Sequence, residues 1–380
     1  MEASKKEKAL KDIGIGMGLM DTIPVLLFAI TMQSLIVIFS KTLFVVGAVL
    51  IVLAGLLKAL WKIVLDVSKK NIPFLNKQMR IIMPVGFLLV IVSLFVYKNA
   101  ISFEKIKEMI QVRPGIYLFA LAGVGFVAMG VLGAMLDSSK KRSNWIEQSV
   151  NTVAQFALCI AVLSCRLAVT SYHATEEGYQ ALAGTETVIV SEIEEGYFFD
   201  GAGEDCALVF YPGALVDVEA YAPLALSLAE EGADVFLIKM PYNLALYNTS
   251  AGTKIKQKYN YAHWYLCGHS LGGAMAANHI AKSGKGFDGL ILLAAYPTKL
   301  LPKDNFRVLS VYGENDGVLH LEKYEKQKEK IPGGFQELLI PGGNHAGFGV
   351  YGPQNGDGEA TIPASMQQEI TAIAILNFIK

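Results

Sequence analysis

Five apolar runs in the first half of the sequence constrain this chain more than any other feature. They cover residues 22–40, 42–60, 81–97, 114–136 and 149–170. A helix needs about 20 apolar residues to cross the hydrocarbon core of a bilayer. A buried helix of a soluble protein can mimic one such run, but five in succession predict an all-α bundle of about five transmembrane helices. We do not expect the first run to be a cleaved signal peptide, because its apolar core is too long and no small-residue cleavage site follows.

The remainder of the chain has the charge distribution of an ordinary globular domain. Overall, 53% of the residues are hydrophobic, and 33 lysines and arginines balance 34 acidic residues. The net charge is close to zero, so the sequence does not predict a basic surface for nucleic acid. Because of the five apolar runs, the lipid bilayer is the expected macromolecular partner. Protein partners stay unknown. The predicted organisation is a basic tail at 1–21, a transmembrane region at 22–170, a linker at 171–185 and a second domain at 186–380.

Basic residues in the loops predict the orientation of the bundle. They are Lys5, Lys6, Lys8 and Lys11 in the tail, Lys41 in the first loop, Lys62, Lys69, Lys70, Lys77 and Arg80 in the second, Lys98, Lys105, Lys107 and Arg113 in the third, and Lys140, Lys141 and Arg142 in the fourth. On balance they favour a cytoplasmic N-terminus. Five spans then place the second domain outside, so we expect an integral plasma-membrane protein with an extracytoplasmic domain. If the number of spans differs by one, the second domain would instead lie in the cytoplasm.

Short apolar runs alternate with helical patterns in the second domain. Strands are predicted at 188–193, 197–199, 207–211, 234–239, 263–267, 289–295, 308–312 and 337–340, and helices at 221–231, 271–282, 321–330 and 366–379. Runs that are apolar throughout and alternate with helices are typical of a parallel sheet covered on both faces. In such a sheet, functional residues collect at the carboxyl ends of the strands.

Three loops after predicted strands supply a serine, an acid and a histidine, in that order. The loops are GHSLG with Ser270, GENDGV with Asp316, and GGNHAGFG with His345. A strand leads directly into the first loop and a helix rich in small residues leaves it. This context predicts a sharp turn that lifts the serine hydroxyl clear of the sheet and places the next backbone N–H at a helix N-terminus.

With these residues, the part of the chain from about 186 to 380 resembles an α/β-hydrolase, a family with a G-x-S-x-G nucleophile elbow and a Ser, Asp, His triad. The resemblance implies an α/β fold with a mostly parallel sheet flanked by helices. It implies that Ser270 is the nucleophile, that Asp316 orients the histidine, and that His345 is the general base and acid. Glu314 is the rival acid. No other histidine follows the last predicted strand.

The resemblance also implies two backbone N–H groups that bind an oxyanion. Leu271, directly after the nucleophile, is one donor. The family often has His-Gly in the loop after the strand at 207–211, where this chain has Pro212-Gly213. That departure makes the N–H of Ala214 the candidate for the second donor.

The interval 296–307, between two core strands, is too short for a helical lid. We therefore expect an open pocket, shaped by residues 241–261 and 347–361, as in dienelactone hydrolases and small carboxylesterases. Residues 352–358 have the composition of a flexible or turn-rich surface loop. No metal or cofactor is expected, because the sequence has no Cys-x-x-Cys, no His-Glu-x-x-His and no phosphate-binding loop.

Together these features predict a membrane-anchored serine hydrolase that cleaves an ester, thioester or lactone of a small-molecule acyl substrate through an acyl-Ser270 intermediate. An acyltransferase with the same triad remains open. In a different class, the helices would form a transporter or sensor and the second domain would only bind. That alternative is disfavoured, because the five runs hold few ionisable residues beyond Arg166.

Overall fold

The computed structural model of the chain describes residues 15–98, 115–137, 140–203, 205–283, 286–302, 306–331 and 335–380. Residue contacts divide the chain into two compact units, Met1–Thr170 and Ser171–Lys380. Several of the basic residues used to predict orientation lie outside the described residues; these are Lys5, Lys6, Lys8, Lys11, Lys105, Lys107 and Arg113.

The first unit consists of long apolar helices. They are α1 (Ile15–Ile38), α2 (Thr42–Ser68), α3 (Pro73–Lys77), α4 (Met79–Val96), α5 (Gly115–Met135) and α6 (Lys141–Val169). Five segments of the described chain are long and apolar enough to cross a bilayer, with the short α3 and α4 counted as one. The expected region of five apolar helices is therefore confirmed.

Small residues allow the helices to approach closely. A Cβ atom added to Gly47 of α2 would lie 2.6 Å from the backbone oxygen of Gly86 in α4, and one added to Gly86 would lie 2.8 Å from the oxygen of Gly47. The two backbones thus meet at a pair of glycines. Such contacts are typical of packed helices in lipid, where van der Waals contact replaces the hydrophobic driving force.

An ion pair is buried inside this unit. Lys62 Nζ lies 2.6 Å from Asp21 Oδ2, and the two side chains are only 10% and 6% exposed. The sequence interpretation missed this pair because it placed Lys62 in a loop and Asp21 in the tail. In the structure, α2 extends to Ser68 and α1 begins at Ile15, so both residues are helical.

The pair leads to a testable difference between single and double replacements. Removing one partner leaves an uncompensated buried charge, which costs about 3–5 kcal/mol, whereas replacing both with apolar residues is often neutral. We expect Asp21→Leu or Lys62→Leu to lower the unfolding temperature in detergent, and the double variant to recover most of the loss. Additive losses would contradict this account. The exposed pair Lys326–Glu322, at 2.9 Å, is the control, where the same replacements should change stability by about 0–1 kcal/mol.

The second unit is built on one sheet of eight strands. The strands are β1 (Ile189–Ile193), β2 (Gly196–Asp200), β3 (Cys206–Tyr211), β4 (Asp234–Ile238), β5 (His263–His269), β6 (Gly289–Leu293), β7 (Arg307–Gly313) and β8 (Gln336–Ile340). Their spatial order is β1-β2-β4-β3-β5-β6-β7-β8. β2 runs antiparallel to both β1 and β4, and all other neighbours are parallel. This confirms the mostly parallel sheet that the α/β-hydrolase resemblance implies.

Helices cover both faces of the sheet. They are α7 (Glu176–Ala181), α8 (Ala222–Glu230), α9 (Ala251–Lys258), α10 (Leu271–Ser283), α11 (Leu321–Gln327) and α12 (Ala364–Ile379). Alternate residues of a strand point to opposite faces. Leu208 and Phe210 of β3 accordingly pack in one core with α8 and α12, whereas Val209 and Tyr211 pack in the other with α9 and α10. Two buried faces explain why these strands are apolar without alternation.

Two segments contain structure that the sequence interpretation did not predict. No helix is predicted within residues 241–261, but they contain α9, whose few apolar residues give a weak signal. Residues 171–185 contain α7 and precede β1. Within them, Tyr172 forms a parallel bridge with Val216, so this stretch is a packed part of the second unit.

Candidate active site

Ser270 stands at the corner between β5 and α10. The strand ends at His269 and the helix begins at Leu271, so the turn has one residue. Ser270 has a φ of 51°, in the left-handed region that costs a residue with a side chain roughly 1–3 kcal/mol. The serine is therefore held in a strained conformation by the elements on either side.

The glycines of GHSLGG are required by the close approach of backbone. A Cβ atom on Gly268 would lie 2.6 Å from the carbonyl carbon of Gly272. One on Gly272 would lie 2.2 Å from the backbone oxygen of Tyr211 and 2.3 Å from that of Pro212. The start of α10 thus packs directly against the end of β3, which brings the loop after β3 beside Ser270.

Asp316 and His345 form a buried hydrogen-bonded pair. His345 Nδ1 lies 2.8 Å from Asp316 Oδ2, and each side chain is 1% exposed. The other carboxylate oxygen of Asp316 accepts the backbone N–H groups of Val318 at 2.9 Å and Leu319 at 2.7 Å. Because both oxygens are engaged, the carboxylate is fixed in its orientation toward the imidazole.

The rival acid does not contact the histidine. Glu314 Oε2 accepts the backbone N–H of Gly342 at 2.9 Å, and the N–H of Glu314 donates to Ile340. Its side chain therefore braces the turn after β8. The geometry places Asp316 beside His345 and leaves Glu314 in a structural position.

Ser270 and His345 are not hydrogen-bonded to each other in this structure. Over the residues described, His345 Nε2 is buried without a hydrogen-bond partner. The ring of His345 packs 4.5 Å, centroid to centroid, from that of His269, the residue before Ser270. In substrate-free enzymes catalytic hydrogen bonds are often long and tighten when substrate binds. The contact that the resemblance implies stays a prediction.

In the loop after β3, the N–H of Ala214 is free to bind an oxyanion. The N–H of Gly213 donates to Tyr221 Oη at 3.0 Å, and that of Leu215 donates to the oxygen of Asn243 at 2.8 Å. Ala214 lies between them, and in the described part of the chain its N–H donates to no protein acceptor. The N–H of Leu271 is likewise unengaged there, at the first residue of α10. Both predicted donors are therefore available.

The pairing of Tyr221 with His269 was missed by the sequence interpretation. Tyr221 Oη lies 2.8 Å from His269 Nδ1 and also accepts the N–H of Gly213. Burial, followed by the neighbouring charge of His345, holds the pKa of His269 well below its usual range. His269 therefore stays neutral near pH 7 and links the loop after β3 to the corner. Only its position inside the elbow gave a signal in the sequence.

Between β6 and β7, the described residues 294–302 form no helix. Across the described ranges of both units, no three histidine, cysteine or acidic residues lie close enough to hold a metal ion.

Comparison with protein families identifies a domain in the second unit. Residues 207–369 match the family model described as "Alpha/beta hydrolase family". The match includes Ala214, Ser270, Leu271, Asp316 and His345. No curated protein matches the chain by sequence.

Several solved structures are similar to about half of this chain. Carboxylesterase CesB (YbfK) from Bacillus subtilis is 10% identical, with a TM-score of 0.38 over 53% of this chain and 94% of that one. Dienelactone hydrolase from Anabaena variabilis is 12% identical, with a TM-score of 0.37 over 52% and 99%. Est1E from Butyrivibrio proteoclasticus is 15% identical, with a TM-score of 0.37 over 51% and 99%. At such identities and TM-scores, a neighbour's substrate says nothing of the substrate of this chain.

The close contact at Gly272 predicts the effect of adding a single methyl group. Gly272→Ala would press a Cβ atom against the backbone oxygens of Tyr211 and Pro212, at 2.2 and 2.3 Å. Overpacking of this kind costs about 1–3 kcal/mol, so we expect a lower unfolding temperature. Gly130→Ala is the control, because a Cβ atom added there meets nothing within 4 Å. Equal unfolding temperatures for Gly272→Ala and Gly130→Ala would contradict the packing described at the corner.

Proposed function

We propose that this chain, whose residues 207–369 form an α/β hydrolase domain, is a membrane-anchored serine hydrolase of the esterase type. One observation carries the proposal: the buried Asp316–His345 pair is joined at 2.8 Å, and His345 Nε2 has no hydrogen-bond partner among the described residues. The ring of His345 packs against that of His269, the residue before the strained Ser270. The bond cleaved would be an ester, thioester or lactone of a small acyl substrate. The proposed intermediate is an acyl group on Ser270.

The hydrogen bonds of Asp316 support one tautomer of His345. Asp316 is an acceptor at both oxygens, since Oδ1 already accepts two backbone N–H groups. Oδ2 therefore accepts the proton of His345 Nδ1–H, which leaves a lone pair on Nε2. A neutral histidine of this form is a base whose free nitrogen can accept the proton of a serine hydroxyl.

The reaction would proceed in two halves with His345 moving one proton in each. Ser270 Oγ attacks the carbonyl carbon of the substrate while its proton passes to His345 Nε2. The tetrahedral intermediate collapses, the bond to the leaving group breaks, and Nε2 returns the proton to that group. A water molecule then attacks acyl-Ser270, with Nε2 accepting and returning its proton in the same way, which releases the acid and restores the serine.

Charge on the substrate oxygen would be stabilised by the unengaged N–H groups of Ala214 and Leu271. Leu271 begins α10, where the partial positive charge of a helix N-terminus adds to the effect. Loss of one such donor in other enzymes costs about 10²–10³ in kcat. The neutral state of His269 serves the same step, because a second positive ring next to His345 would oppose its protonation.

Replacements at the acid distinguish Asp316 from Glu314. Asp316→Asn keeps the shape but loses the acceptor that sets the tautomer of His345, so we expect kcat for p-nitrophenyl esters to fall on the order of 10³–10⁴-fold. Glu314→Gln should stay within about threefold of wild type, and Ser270→Ala should fall to the background rate. Purified full-length chain and short- and long-chain esters are needed for the measurement. A larger loss for Glu314→Gln than for Asp316→Asn would reverse the assignment.

The five apolar helices support anchoring in a bilayer. The proposed orientation places the N-terminus in the cytoplasm and the hydrolase domain outside the plasma membrane, and it is supported by the distribution of lysine and arginine between the loops.

An epitope tag after Lys380 tests this orientation in cells. We expect a protease added to intact cells, or to spheroplasts where a cell wall is present, to remove the tag without permeabilisation. A second tag placed before Met1 should be removed only after the membrane is opened. The opposite pattern would place the hydrolase domain in the cytoplasm and overturn the proposed side.

A further inference from the structure

The segment 352–361 contains an acid with an unusual set of partners. The sequence interpretation treated 352–358 as a flexible or turn-rich loop, but its Asp357 carboxylate accepts four backbone N–H groups. Oδ1 accepts those of Gly317 at 3.1 Å, His345 at 3.1 Å and Gly358 at 2.8 Å. Oδ2 accepts that of Ala346 at 2.8 Å.

Three of these four donors belong to the two loops that form the buried pair, and the fourth, Gly358, lies in the segment itself. Gly317 directly follows Asp316, and the other two loop donors are His345 itself and the next residue, Ala346. One carboxylate therefore bonds to the backbone on both sides of the Asp316–His345 hydrogen bond. Hydrogen bonds to an ionised acceptor are roughly twice as strong as those between neutral groups.

Packing around Asp357 leaves little room for another arrangement. A Cβ atom on Gly317 would lie 2.6 Å from the oxygen of Gly356, and one on Gly358 would lie 2.0 Å from the oxygen of Asn315. The acid loop, residues 313–318 with Asp316, is therefore in backbone contact with the segment 352–361. A loose surface loop would not impose this condition on glycines at both sides.

Further hydrogen bonds hold the segment in register. Asn315 Nδ2 donates to the oxygen of Glu359 at 3.0 Å, and Asn344 Nδ2 donates to that of Gly358 at 2.8 Å. The N–H of Thr361 donates to Gly342 at 2.8 Å. Each of these bonds joins the segment to one loop, whereas the carboxylate of Asp357 joins it to both.

We propose that Asp357 is a positioning residue. It holds the acid loop and the histidine loop, residues 342–349 with His345, in the register needed for catalysis. This inference rests on the proposed function of the same site. Among the described residues, the carboxylate of Asp357 hydrogen-bonds only to backbone N–H groups; it acts by fixing the backbone from which the imidazole of His345 extends. A misplacement of about 1 Å in a catalytic group can cost on the order of 10² in rate.

The test compares Asp357→Ala with Asp357→Asn in the full-length chain. Asparagine keeps an oxygen that can replace Oδ1 as acceptor of three N–H groups, whereas alanine keeps none. We expect Asp357→Ala to lower kcat at least tenfold with KM within about twofold of wild type. Asp357→Asn should recover kcat to within about threefold of wild type. All rates are expressed per Ser270 titrated to completion with a fluorophosphonate, so that a smaller folded fraction does not lower kcat.

A matched control is Asp288→Ala. Asp288 accepts the backbone N–H of Trp264 at 2.8 Å, near the start of β5 and thus at the opposite edge of the sheet from Ser270. This variant should keep kcat within about twofold of wild type. It measures what the loss of an aspartate-to-backbone hydrogen bond does where no catalytic loop is involved.

The outcomes separate this inference from the function on which it rests. A wild-type chain that neither hydrolyses esters nor reacts with the fluorophosphonate would contradict the proposed function. With an active wild type, a kcat for Asp357→Ala within twofold of wild type would overturn the role of Asp357. If the alanine variant does not fold, Asp357→Ser replaces it, because one short hydroxyl cannot accept N–H groups from both loops as the carboxylate does. A kcat within twofold of wild type in a folded Asp357→Ser would equally overturn the role.

Discussion

The hydrogen bond between Asp316 and His345 is the interaction on which the proposed chemistry of this chain depends. It determines where the proton of a buried imidazole resides, and so which nitrogen is left to act as a base. The bond can do so because Asp316 is held at its other oxygen by two backbone N–H groups, and because the pair is buried from water. In such surroundings a fixed dipole acts more strongly than at an exposed surface.

The proposed chemistry also depends on the sheet, which brings residues far apart in the chain to one edge. Ser270, Asp316 and His345 follow β5, β7 and β8, whose parallel order places their carboxyl ends together. The close packing of α10 against the end of β3 adds the N–H groups of Ala214 and Leu271 to the same edge. The strain at Ser270 is sustained by this packing, and a looser corner would relax it.

Prediction from the sequence succeeded where one hydrophobic pattern determined the outcome. The apolar runs gave the helices of the first unit, and continuous apolar strands between helices gave the parallel sheet. It failed where a polar residue finds its partner only in three dimensions. Lys62 was assigned to a loop because the apolar run before it ends at residue 60, although the helix continues to Ser68. Asp357 lies in a stretch with the composition of a flexible loop. No sequence pattern indicated the role of Tyr221, because its hydroxyl meets the N–H of Gly213 and the ring of His269 only in the folded chain.

The central claim is that Ser270 becomes acylated during turnover, and mass spectrometry of the acid-quenched chain tests it most directly. Purified wild-type chain is mixed with a p-nitrophenyl ester and quenched within milliseconds to seconds, before water cleaves the intermediate. The account predicts a mass increase equal to the acyl group, located on the peptide that contains Ser270. Hydrolysis of the ester without any acyl group on that peptide, or with the acyl group on another residue, would contradict it.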